Sequence, residues 1–322
     1  MYFSRAIDQL RAAGEDTRLR ILALLSRSDL TVSELVRCLD QLQPRVSRHL
    51  KILVEAELVE PYQEGSWRFY RIPQVPSWLG KIIDCLEGPE IDADLRALQQ
   101  IRSDRADRAR AYFADNAEQW NAVRRLHIDD HEIENALLSM APASFDHFLD
   151  LGTGTGRMLA LFAPRFRQAT GYDASPEMLS LARVEVQAAG LTNVHLRQRD
   201  ILKPDDITPG IADVVCLHHV LHFLAEPQRA FGVAALALKP GGCLLVADFA
   251  PHGREELRET YAHRRLGFST EEIAGYASGA GLALADEQRL EPTDADGLTS
   301  VLWRFDKKPI ISQKMKSEAI HA

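Results

Sequence analysis

The chain has 322 residues, 46% of them hydrophobic and 26% charged, with a formal net charge of −8, a balance that suits a globular protein with room for two domains. No apolar run is long enough to cross a bilayer and the opening stretch, MYFSRAIDQLRAAGED, has no signal-peptide core, so a cytoplasmic protein without membrane contact is expected. Its four cysteines, at 38, 85, 216 and 243, lack CxxC or CxC spacing, which argues against a thiolate metal site and for reduced thiols, and the overall acidity leaves any nucleic-acid contact to local charge.

The first segment reads as helices. Ile7 and Leu10 mark one amphipathic stretch. Asp16 can cap the next, whose apolar side is Leu19, Ile21, Leu22, Leu24 and Leu25. Thr31 with Glu34 three residues on forms a capping box for a helix to about Leu39. A short turn leads to QPRVSRHLKILVEAELV, where Pro44 fits a first helical turn. On that second helix Val46, Leu50, Leu53 and Val54 face a core, leaving Gln43, Arg45, Ser47, Arg48, His49 and Lys51 as candidate DNA contacts. Gln43–Lys51 carries two arginines, a lysine and a histidine with no acid. Arginine can pair with guanine edges, and lysine can neutralise phosphate. A hairpin, Leu58–Tyr62 and Trp67–Ile72, follows, with Arg68 and Arg71 on or beside it. A plain helical packing domain with solvated arginines is the alternative.

From Thr17 to Ile72 the sequence resembles the winged-helix domain of ArsR-type repressors. The resemblance implies a homodimer reading a double-stranded DNA operator. Cys38 stands alone where metal-sensing members have a thiolate pair, so metal sensing is not implied. Trp78, Leu79, Ile82, Ile83 and Leu86 give the following helix one apolar side, suited to a dimer interface or to packing on the winged domain. Ile91–Asn116, dense in Arg, Asp and Gln, reads as a helical connector.

From Phe145 strands and helices alternate, with strands expected near 147–151, 169–173, 194–198, 213–217 and 243–248, and a closing pair at Leu282–Leu290 and Ser300–Phe305. Alternation implies a mostly parallel sheet with a ligand at the carboxyl ends of its strands. The stretch FLDLGTGTGR, Phe148–Arg157, is strand, glycine turn, helix start. Asp173 ends the next apolar segment 23 positions after Asp150 (173 − 150), where an acid can accept from both ribose hydroxyls. The spacing GxGxG differs from the GxGxxG of dinucleotide folds.

LDLGTGTG, GYDASPEMLSLAR, RQRD, ADVVCLHHVLHF and LKPGGCLLVADF, in that order, resemble the successive motifs of class I S-adenosylmethionine (SAM) methyltransferases, from about Ala111 to Lys308. The expected chain is therefore multidomain: residues 1–88 a mainly α winged helix-turn-helix with a dimerisation helix, 89–110 a helical linker, 111–308 an α/β Rossmann-like class I methyltransferase fold with a terminal antiparallel strand, and 309–322 a tail. The resemblance assigns Gly152, Thr153, Gly154 and Gly156 to the methionine part of SAM or its product S-adenosylhomocysteine (SAH), and Asp150 to the neighbourhood of its amino group. It assigns Asp173 with Ala174 to the ribose, Met178, Asp200 and Ile201 to the adenine, and Leu217 and His218 to the sulfonium side. Tyr112 is either a cover for the cofactor or a core aromatic. Asp200 can instead cap a helix, and Met178 can be core.

His218, His219 and His222 cluster in HHVLH as catalytic candidates: pocket rim, proton acceptor, or metal ligands, although no metalloprotease-type carboxylate accompanies them and no metal site is assigned. The NPPY-type tetrapeptide of DNA amino-methyltransferases and the three-cysteine pattern of arsenite methyltransferases are both absent, so a small molecule is the expected methyl acceptor, if there is one. Two functions stand: a repressor whose methyltransferase domain senses SAM or SAH, and an active small-molecule methyltransferase tied to its own operator. A plain methyltransferase using the helix-turn-helix only to dimerise is a third.

Overall fold

The computed structural model describes residues 3–64, 67–73, 75–115, 130–261, 263–292 and 297–309. Contacts divide the chain into two units, Met1–Arg110 and Ala111–Ala322.

The first unit runs α1 (Phe3–Ala13), α2 (Asp16–Leu25), β1 (Leu30–Thr31), α3 (Val32–Leu39), α4 (Gln43–Glu55), β2 (Glu60–Glu64), β3 (Trp67–Arg71), α5 (Ser77–Asp84) and α6 (Pro89–Asp115). The three short strands form an antiparallel sheet in the order β1-β3-β2. The Thr31–Glu34 capping box forms as the spacing predicts. The α2 cap differs: Glu15, not Asp16, is the N-cap, its carboxylate accepting from the Arg18 N–H. The longer side chain reaches back from one residue earlier. On α4, Val46, Leu50 and Leu53 are buried, while Val54 is half-buried.

Helix α6 is more than a connector. Asp94, Leu98, Ile101 and Arg105, on one helical stripe, are all buried. Leu98 and Ile101 join the core of the winged unit. Arg20 holds Asp94 through two bonds of 2.6 and 2.8 Å, and Arg105 holds Glu34 through two of 2.8 and 3.0 Å. Burying such charges is tolerable only when they are paired. The stripe reads as polar in sequence because its two ends are ionic.

The second unit begins its described part with α7 (Asp130–Met140). It continues β4 (Phe145–Leu151), α8 (Arg157–Phe162), β5 (Phe166–Asp173), α9 (Pro176–Ala188), β6 (Val194–Gln198), β7 (Ala212–His218), α10 (Pro227–Ala237), β8 (Leu238–Phe249), α11 (Glu256–Tyr261), α12 (Thr270–Gly279), β9 (Leu282–Leu290) and β10 (Ser300–Lys307). The sheet order is β6-β5-β4-β7-β8-β10-β9, parallel through β8, then antiparallel. Alternate residues serve its two faces. Leu149, Leu151, Val215 and Leu217 pack with Phe231 of α10, and Phe148, Val214 and Cys216 pack with Met158 and Phe162 of α8. Strand order reverses between β4 and β7, the position at which open α/β sheets bind ligands beyond the strand ends.

Candidate functional site

The glycine turn leaves β4 at that reversal. Gly152, Gly154 and Gly156 have φ of +78°, +53° and +85°, the left-handed region that glycine enters without strain. A Cβ on Gly152 would lie 2.4 Å from Val220 Cγ2, so the loop after β7 packs directly on this turn. Nothing lies within 4 Å of the Cβ position at Gly154, and its N–H donates to Asp173 Oδ2 at 2.8 Å.

Two acids stand at the ends of adjacent strands. Asp150 is 1% exposed; its Oδ2 accepts from the Thr153 hydroxyl at 2.6 Å, and its buried Oδ1 has no hydrogen-bond partner. Burial, helped by the nearby Asp173 charge, pushes its pKa up to about 7. Asp173 Oδ1 accepts from the Ser175 N–H at 2.9 Å. Burial raises its pKa too, against the pull of its backbone N–H bonds. With the Ala174 N–H also bonding the carboxylate, one lone pair is left for a ligand donor. The end of β6 joins here: the Arg199 N–H donates to the Asp173 carbonyl at 2.9 Å, and Gln198 Nε2 to that of Ala174 at 2.9 Å.

The structure thus gathers Asp150, Thr153, Gly154, Asp173 and Ala174 into one bonded chain. Other predicted positions have contacts of their own. Asp200 Oδ1 accepts from the Leu202 N–H at 3.0 Å, within a turn and not at the start of a helix. Ile201 and Leu217 are buried in the core. Met178 is half-buried on the first turn of α9, its N–H donating to the Ser175 hydroxyl at 3.1 Å. The Tyr112 side chain lies outside the described residues.

The histidine run departs most from its sequence reading. His218 ends β7, His219 takes φ +50°, and Leu221–Phe223 is a single 3₁₀ turn. The carboxylate that the run lacks arrives from β8. Asp248, fully buried, receives His222 Nδ1 at 2.8 Å and the Phe249 N–H at 2.8 Å on Oδ1, and the Leu221 N–H at 3.0 Å on Oδ2. His263 stacks on His222, ring centroids 4.2 Å apart. Asp248 and His263 escape a sequence search because they lie 26 and 41 residues beyond His222 (248 − 222 and 263 − 222). The acid closing the apolar run LLVAD was the available signal.

In the first unit, Gln43, Arg45, Ser47, Arg48 and Lys51 are exposed on α4, and Arg68 is exposed on β3 beside Trp67, itself 58% exposed. His49 departs from this set: its half-buried ring turns to Glu15, with Nδ1 3.4 Å from the carboxylate. Arg71 is buried and bonded across the hairpin to Glu60, an architectural role.

Fold and site together define a winged-helix regulator unit followed by a methyltransferase domain. Residues 143–284 match the model for a methyltransferase domain, and residues 15–60 match that for bacterial regulatory proteins of the arsR family. The chain is 42% identical over 86 residues to the arsenical resistance operon repressor of Escherichia coli, a stretch covering 26% of this chain and 74% of that one, and it belongs to the arsR family. It is 27% identical over 144 residues to the uncharacterized methyltransferase YcgJ of Bacillus subtilis, covering 43% of this chain and 54% of that one, about half the relative's length. A solved chain from the Haloferax volcanii complex between the Trm112 methyltransferase activator and a methyltransferase shares the fold, with TM-score 0.50 and 22% identity over 62% of this chain and 96% of that one.

Proposed function

We propose that this protein is a DNA-binding transcriptional regulator whose methyltransferase domain binds SAM or SAH and couples that occupancy to operator binding. One observation carries the cofactor reading: the buried Asp150 Oδ1 without a partner, beside three left-handed glycines and Asp173. A buried carboxylate oxygen lacking a donor is costly unless a ligand supplies one. The ammonium of a methionine moiety is such a donor. The open Gly154 and the remaining acceptor capacity of Asp173 fit the passage of the methionine part and a ribose hydroxyl. Asp200 with Ile201 would border the adenine. When bound, SAM brings an electrophilic methyl group.

DNA recognition would use Gln43, Arg45, Ser47, Arg48 and Lys51, with Arg68 on the wing. His49 is left out of that set by its contact with Glu15. A homodimer on a two-fold operator is supported by apolar side chains left exposed, Leu10 at 49% and Ile82 at 40%. No helix among the described residues is long and apolar enough to cross a membrane, in keeping with a cytoplasmic regulator.

Coupling requires that the two occupancy states bind DNA differently. Fluorescence anisotropy with the protein's own upstream DNA, at one salt concentration, tests this with no cofactor, with SAM and with SAH. Different affinities support the reading, and their direction names the signal. Equal affinities in all three remove the sensor.

A second reading, an active methyltransferase on a small molecule, is favoured by the buried His222–Asp248 pair, which a passive cofactor pocket does not need. Release of SAH with a member of a metabolite panel supports it.

A further inference from the structure

The loop after β7 and the end of β8 bring together two imidazoles and a carboxylate: His219, His222 and Asp248. One ligand atom from each lies within 4.8 Å of the others, the single such group of three among the described residues. We propose that they form a binding site for one borderline divalent transition-metal cation, of the Zn²⁺ or Fe²⁺ class. The proposal stands independently of the sensor and enzyme readings.

The chemistry of the donors selects the ion. Imidazole and carboxylate suit Zn²⁺, Fe²⁺ and their first-row neighbours, whereas Mg²⁺ and Ca²⁺ prefer oxygen alone. With no thiolate in the set, Cu⁺ is not favoured. Two histidines and one carboxylate leave further coordination positions open on a four- to six-coordinate ion.

The geometry is close to assembled. Ligand atoms on a tetrahedral zinc with bonds of about 2.0–2.2 Å stand roughly 3.3 Å apart. His222 Nδ1 and Asp248 Oδ1 are already 2.8 Å apart. Metal binding would replace that hydrogen bond, opening the pair by about 0.5 Å and releasing the proton between them, and would draw in His219, which sits on a loop position with φ +50° and a half-buried ring. That left-handed residue is unusual for a histidine, and such backbone is kept where the surroundings hold it. Here the His219 N–H donates to the Ala247 carbonyl at 2.8 Å, fixing it beside Asp248.

The surroundings are also those of a bound cation. Asp248 is wholly buried and His222 is 2% exposed, yet among the described residues the groups meeting the carboxylate are one imidazole and backbone N–H groups, with no lysine or arginine. Phe249 and Phe223 pack on His222 at 5.2 and 4.1 Å between ring centroids, an apolar wall that keeps water off its ligand atoms. The site adjoins the glycine turn through Val220. A cation with open positions there would accept an oxygen or sulfur donor of a small molecule.

The test uses the full chain, purified and stripped with a chelator. Co²⁺ is added and its visible absorption followed, and Zn²⁺ uptake is measured by equilibrium dialysis. The expected result is one equivalent per chain with a nitrogen/oxygen-type Co²⁺ spectrum, a metal-dependent rise in Tm, and at least a tenfold loss of affinity in His219→Gln and His222→Gln. Cys85→Ser, which removes the exposed thiol, should change nothing. His222→Gln disturbs a buried pair, so His219→Gln, checked by circular dichroism for an unchanged fold, decides the matter. No stoichiometric uptake, or uptake unchanged in His219→Gln, overturns the proposal. The His222–Asp248 pair is then a hydrogen-bonded pair without a metal role.

Discussion

The two units treat buried charge in opposite ways. In the winged unit each deeply buried acid or arginine that α6 contributes meets its counter-ion: Asp94 meets Arg20, and Arg105 meets Glu34. In the methyltransferase unit Glu134 follows the same rule, its carboxylate held by Arg157 at 2.9 Å. Asp150 and Asp173 do not: among the described residues neither meets a cationic side chain, and the pKa of both is raised. Paired buried charge holds elements together. Buried charge left unpaired at the carboxyl end of a sheet is kept for something that arrives later.

The comparison breaks first at Arg105. Arg105→Ala strands Glu34 and should cost about 3–5 kcal/mol in urea unfolding of the winged unit, with SAM binding measured by calorimetry unchanged. Unaltered stability would mean that the ionic stripe is ornamental. Next in size is Asp173→Ala, which should weaken SAM and SAH about 100-fold, what one or two bonds to a charged acceptor contribute. Calorimetric titration with equal affinity in wild type and variant would remove Asp173 from the cofactor site.

Asp150 sharpens the contrast through pH. Its folded pKa of about 7 lies above the ordinary carboxylate value of 3.8, so the folded chain binds more protons than the unfolded one in between. Its effect on stability is therefore least unfavourable at low pH and grows as pH rises from about 4 to about 7. Thermal melts should fall less steeply over that window in Asp150→Asn. A cationic ligand group reverses the preference, so SAM affinity should rise through pH 7 in the wild type and stay flat in the variant. The smallest effect is at the surface. Arg48→Ala should weaken operator binding and reduce the slope of log affinity against log salt by about 1, with stability untouched.

Much of this was legible from local pattern. The helix-turn-helix, the capping box and the glycine turn are short-range devices, in which the residues that interact lie within a few positions of each other. The β9–β10 pair was readable from two apolar runs at the end of the chain. The cap at Glu15 was missed because two adjacent acids compete and reach decides between them. His49, on an exposed-looking helix, turns towards an acid 34 positions earlier (49 − 15), a contact that helix periodicity does not reveal. The Asp248 pairing and the role of α6 depend on strand order and on contacts between distant segments, which periodicity does not encode. Strand β8 also starts earlier than its apolar run, at Leu238, and a register shift near Ala212/Val214 absorbs the extra residues.

Helix α6 also bears on how the chain is made. The winged unit cannot complete its core until Leu98, Ile101 and Arg105 have been synthesised, well after α4 and the β2–β3 hairpin. During translation it closes only as the second unit starts to emerge. A DNA-binding fragment cut at residue 88 would therefore leave Arg20 and Glu34 facing empty positions. One that runs through residue 110 keeps every clamp on α6 and is the piece expected to fold alone.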